Sequence, residues 1–142
     1  MSLNAKLIDG GIFNDERGTL NFVNDFDLSP IKRFYFITNV NTDMIRALQG
    51  HQIESRWFYC TEGSFDVRLI KIDNWDQPSK KQQVEIFTLK ASEPKVLYIP
   101  QGYLNGFKAF EDHSKLMILS NYMLGKIPDD SYRYDKKLWT NW

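Results

Sequence analysis

With 142 residues, and 18 Lys plus Arg set against 18 Asp plus Glu, the chain has no formal net charge and the length of a single domain. That balance argues against a nucleic-acid binder that works through a basic face, so no nucleic-acid partner is expected, and it suits neither an acidic tail nor a disordered segment. The aromatic load (Phe 10, Tyr 7, Trp 4) points to a sheet protein or to a stacking pocket.

From the N-terminus, residues 1–11 include Asn4, Lys6 and Asp9 and lack the continuous apolar core of a signal peptide. No apolar run approaches the roughly 20 residues that span a bilayer. A cytoplasmic chain that does not cross a membrane is therefore expected. Short β-branched and aromatic runs recur between Gly, Pro and Asn/Asp punctuation, and helical periodicity is missing over most of the chain. Strands are predicted near residues 18–24, 32–39, 43–48, 56–61, 64–72, 83–90, 96–99, 106–111 and 115–122. In the fifth, Phe65, Val67 and Leu69 alternate with Asp66 and Arg68, the period of a half-buried strand. Gly63 supplies the turn into it, polar residues 73–81 form a loop, and Pro94 and Pro100 bracket a short strand. So many short strands must hide their edges, which predicts a closed or double-sheet all-β architecture forming one domain over residues 1–142. Beyond Tyr122, Gly125, Pro128 and Asp129-Asp130 lead into an aromatic tail with room for one helical turn, its rings packing on the barrel wall or lining its mouth. The single cysteine, Cys60, excludes an internal disulfide and a Cys-rich zinc site, and its apolar surroundings make it a buried hydrophobe.

Two segments have the spacing of the paired cupin motifs. Gln49, His51, Arg56 and Gly63 fall where the first motif places His, His, Glu and Gly, and Pro100 to Asn105 matches its Pro-x-Gly-x-x-His partner. The spacing resembles a cupin and implies a jelly-roll β-barrel with a short C-terminal tail. Only His51 of the four metal-ligand positions is retained, and Arg56 adds positive charge where a cation would sit. No metal and no cofactor are expected.

Four stretches resemble the metal-free cupins that act on nucleotide-linked deoxysugars, the dTDP-4-dehydrorhamnose 3,5-epimerases and the WxcM-like dTDP-4-keto-6-deoxyhexose 3,4-ketoisomerases. They are Asp15-Glu16-Arg17-Gly18, Tyr35-Phe36-Ile37, Arg46 to His51 with Gly63-Ser64, and Tyr98 to Phe107. The resemblance implies proton transfer beside a sugar carbonyl, in cell-surface polysaccharide synthesis. Arg17 and Arg46 would grip the diphosphate of a dTDP-linked substrate. At the epimerase base, the returning tyrosine and the second-motif His stand Gln49, Ile118 and Asn105, so that route is closed. His51 and Tyr35 are left as the catalytic pair, since an imidazole suits a proton shuttle. Gln49, Arg56, Tyr103 and Asn105 complete the expected substrate-binding set. Arg46 has a phosphate or an internal carboxylate, Glu54 or Glu62, as alternative partners. His113, in a polar turn, is expected to be solvated. The resembled families pair N-terminal strands across subunits, which implies a homodimer with residues 1–24 at its interface. The alternative function is a sugar-binding module that has kept the pocket and lost the base.

Overall fold

The computed structural model describes residues 4–142. Its strands, in chain order, are β1 (Lys6–Asp9), β2 (Gly11–Asp15), β3 (Gly18–Phe22), β4 (Arg33–Asn39), β5 (Ile45–His51), β6 (Arg56–Glu62), β7 (Ser64–Lys71), β8 (Val84–Lys90), β9 (Lys95–Ile99), β10 (Tyr103–Ala109), β11 (Ser114–Ser120) and β12 (Tyr132–Arg133). They form two five-stranded antiparallel sheets, ordered β1-β9-β6-β11-β4 and β12-β5-β10-β7-β8, and a separate β2–β3 hairpin. Neighbours such as β6 and β11 are distant in sequence, the crossover pattern of a jelly roll. No helix among the described residues is long and apolar enough to cross a membrane.

All nine predicted strands are present, some with moved ends. β10 begins at Tyr103 rather than 106 because Gly102, with φ of 94°, completes the turn after Pro100. β5 runs on to His51, held by register pairs from Tyr103↔His51 to Lys108↔Ile45. Three strands were not anticipated. β1 has four residues, too few for a period to show, and β2 has its three central residues exposed. The two residues of β12 are a strand only because they pair with Gly50 and Gln49 of β5. No helical turn forms in the tail, whose chain is extended and turning.

The main core lies between the sheets. In β7, Phe65, Val67 and Leu69 are fully buried, while Asp66 and Arg68 form an ion pair at 2.8 Å on the other face. Phe107 meets Phe58 and Phe65 edge to face, with centroids 5.7 and 5.8 Å apart. Truncating a fully buried Phe such as Phe58 to Ala would cost about 3–5 kcal/mol. Cys60 is buried in the same cluster, and burial pushes its thiol up to about 12. A second cluster (Leu48, Ile70, Ile72, Leu104) receives Tyr134 and Trp139, so these tail aromatics pack on the wall. Tyr134 and Trp139 are anchored further by hydrogen bonds to the carbonyls of Trp75 and Ser79, both near or in the 73–81 loop, at 2.5 and 3.0 Å.

Candidate active site

A cavity of about 370 Å³ opens between the two sheets. Period-2 alternation in β4 turns Arg33, Tyr35 and Ile37 inward and leaves Phe34, Phe36 and Thr38 exposed, which brings Tyr35 to the cavity wall. Across the β4–β11 ladder Tyr35 pairs with Ile118, and across the β5–β10 ladder Gln49 pairs with Asn105; all four line the cavity. Arg46 and Arg56 line it as well, as does Arg133 from β12. Thus Tyr35, Arg46, Gln49, Arg56 and Asn105, dispersed over 71 positions of sequence, share one chamber.

The polar groups are unevenly occupied. Arg56 donates through Nε to Glu54 and through Nη1 to the Tyr35 hydroxyl oxygen, so the phenolic O–H remains free to donate elsewhere. The guanidinia of Arg33 and Arg56 lie 4.9 and 5.7 Å from the centre of the Tyr35 ring. Glu54 also accepts from Ser120 at 2.5 Å. Burial alone would raise its carboxyl, but the hydrogen bonds from Arg56 and Ser120 and the Arg56 charge outweigh that and hold it below the ordinary carboxylate range. Arg46 meets neither Glu54 nor Glu62. Its Nε donates to Asn39 Oδ1 at 3.1 Å, and Asn39 is itself buried and bonded to the Met44 carbonyl. Glu62 lies instead 3.8 Å from Lys115. Gln49 donates to Ser131 Oγ at 3.1 Å, and buried Asn105 makes no side-chain hydrogen bond to any described residue.

His51 lies beyond the lining, at the end of β5 and buried. Its Nδ1 is 2.5 Å from the Asp130 carbonyl oxygen, which assigns the proton to Nδ1 and leaves Nε2, buried and without a hydrogen-bond partner, as a bare acceptor. Burial first and the nearby Arg56 charge second push its pKa below the usual histidine value, favouring the neutral ring against the opposing effect of the Asp130 bond. The Asp130 carboxylate accepts from the backbone N–H groups of Gln52, Ile53 and Glu54 at 2.8–3.1 Å, pinning the turn after His51. His51, Glu54 and Asp130 offer ligand atoms within 4.8 Å of one another. The Asp130 oxygens and Glu54 Oε2 are already engaged, and Arg56 sits against Glu54, so this donor set fits a metal cation poorly.

Besides His51, two expected residues are not brought to the cavity. Tyr103 is a core residue, 2% exposed, and its hydroxyl accepts from the Ala5 N–H at 3.1 Å. Arg17 is exposed at the β2–β3 turn, pairs with Asp15 at 2.6 Å, and borders a shallow depression on the hairpin. Arg133, Asp130 and Ser120 were not singled out by the sequence. Arg133 and Asp130 lie in the tail, and their placement depends on the two-residue pairing of β12 with β5, for which a single sequence carries no signal.

A jelly-roll sandwich with a polar, arginine-bearing chamber between its sheets defines a cupin. The chain belongs to the family described as WxcM-like, C-terminal, whose model matches residues 3–138. No curated protein sequence matches it. Among solved structures, it is similar to a sugar 3,4-ketoisomerase from Thermoanaerobacterium thermosaccharolyticum in complex with TDP, at 25% identity and a TM-score of 0.71 over 97% of this chain and 93% of that one. A 3,4-ketoisomerase from Helicobacter canadensis shares 19% identity with a TM-score of 0.71, covering 96% of both chains. The dTDP-4-dehydrorhamnose 3,5-epimerase of Bacillus anthracis, with TDP and PPi bound, shares 17% identity with a TM-score of 0.78 over 98% of this chain and 85% of that one.

Proposed function

We propose that the protein is a metal-free isomerase of dTDP-linked 4-keto-6-deoxyhexoses, with His51 as base and Tyr35 as proton donor. The observation that carries this reading is His51 itself: Nδ1 is fixed by the Asp130 carbonyl, and a bare Nε2 is left two residues along β5 from Gln49, which lines the chamber with Tyr35 and its free O–H. The C–H bonds next to a sugar carbonyl are acidic. For a sugar with a C4 carbonyl and a C3 hydroxyl, removal of the C3 proton gives an enediolate. Transfer of the O3 proton to O4 together with protonation at C4 moves the ketone to C3, and reprotonation at C3 from the other face instead inverts that centre. The Arg56 guanidinium, next to Tyr35, would stabilise the charge that develops on oxygen. Gln49 and Asn105 would hold the sugar hydroxyls, and Arg46 the diphosphate. Tyr103, a core residue outside the chamber lining, is left out of the binding set. Arg17 would reach a substrate only in the neighbouring chamber of a homodimer. In this reading the enzyme works in the cytoplasm, on the route to cell-surface polysaccharide.

The test is incubation of a dTDP-4-keto-6-deoxyhexose with the protein in deuterated water. Deuterium should enter beside the carbonyl faster than in buffer, and His51→Asn should lower that rate by about a hundredfold or more, the lower end of general-base contributions. Exchange at the buffer rate by a wild-type protein that still binds dTDP would instead favour a sugar-binding module.

A further inference from the structure

We propose that Arg133, carried by the C-terminal segment, is a substrate-binding residue that joins Arg46 in a two-guanidinium clamp on the diphosphate. This rests on the substrate class proposed above. Arg46, Arg56 and Arg133 are the charged residues among the described lining of the cavity, and no acid faces them there. Arg56 is already engaged by Glu54 and Tyr35, on the sheet opposite Arg46 and Arg133. Arg46 is held only through Nε, which leaves its two terminal nitrogens for a ligand. Arg133 is exposed and makes no side-chain hydrogen bond or ion pair with any described residue.

Most free arginines on a protein surface are merely solvated, but this one has a fixed base. Its backbone stands opposite Gln49 in the β12–β5 register. The next residue, Tyr134, exchanges both backbone hydrogen bonds with Leu48 at 3.0 and 3.2 Å, and Ser131 accepts from Gln49. An arginine with an anchored backbone and five unengaged N–H donors, directed into a chamber without acids, is organised for an anion with several oxygens. Arg46 lies three residues along β5 from Gln49, so both free guanidinia belong to the second sheet, while Tyr35 and Arg56 belong to the first. A diphosphate held by the former pair would direct the sugar towards the latter.

The test is calorimetry of dTDP binding to the full-length protein and to Arg133→Ala and Arg133→Lys, with thermal unfolding of each. Arg133→Ala should bind dTDP about tenfold or more weakly, as expected for loss of a charged hydrogen bond, with Arg133→Lys recovering part of the loss and both midpoints unchanged. Wild-type affinity in Arg133→Ala would overturn the clamp and leave the nucleotide-sugar reading standing. Weaker binding accompanied by a lowered midpoint would make Arg133 a structural residue and overturn it equally. A wild-type protein that takes up no dTDP would overturn both readings.

Discussion

At the scale of single residues the proposed proton transfer depends on a histidine kept neutral. The unfolded chain gives His51 its ordinary pKa near 6.5, whereas burial and the Arg56 charge lower it in the folded state. Below pH 6.5 the unfolded form therefore binds the proton more readily, so stability conferred by a neutral His51 is full above that pH and declines as the pH falls. In the proposed reaction the same shift would keep Nε2 available as a base in mildly acidic solution. The acid limb of the deuterium-exchange profile should accordingly lie below pH 6.5; a limb at or above 6.5 would contradict the buried, Arg56-facing ring. Spacing in the sequence singles out His51 as the retained ligand position, but its tautomer is set by a carbonyl 79 positions away.

Among the elements, the C-terminal segment connects the site to the sandwich. Asp130 supplies one carboxylate to three amides of residues 52–54 and one carbonyl to His51. Asp130→Ala would leave those amides without their acceptor, in a turn where Gln52 and Ile53 are exposed and Glu54 is buried. The expected cost is about 2–3 kcal/mol, from hydrogen bonds to a charged group, read as a lower urea midpoint at unchanged slope. An unaltered midpoint would show that water satisfies the turn. The tail's aromatic residues predict packing, and Tyr134 and Trp139 do pack, but their seat on the Leu48 cluster could not be read from a segment without periodicity. β7 is the opposite case: five alternating residues announce both its strand and its buried face, because one side meets the core and the other carries the Asp66–Arg68 pair.

For the whole molecule, the β2–β3 hairpin stands outside both sheets with Phe13 and Leu20 exposed at 54% and 59%, and β4 is a sheet edge whose outward Phe34 and Phe36 are half exposed. Apolar side chains concentrated on a hairpin and a sheet edge are what a second copy would cover. We expect a homodimer through the N-terminal strands, with a light-scattering mass about twice the 16.8 kDa of the chain. Phe13→Asp with Leu20→Asp should shift it to the monomer. A wild-type mass that stays at 16.8 kDa at high protein concentration would exclude this assembly and, with it, any reach of Arg17 into a neighbouring chamber.

Composition and local pattern determined the all-β class, nine of the strands and the burial of Cys60, because each depends on side-chain period and turn residues within a few positions of one another. Motif spacing also brought out Tyr35, Arg46, Gln49, Arg56 and Asn105, which share the cavity because β4, β5, β6 and β10 all expose their inward faces to it. Tertiary structure alone decided which polar groups are spent and which are free. Tyr103 went into the core, where its hydroxyl accepts from Ala5, and Arg56 rather than Arg46 took Glu54. Arg133 entered the cavity through a strand of two residues. Those outcomes are pairings between segments distant in the chain, and a hydrogen-bond donor carries no local mark of the acceptor that folding brings to it.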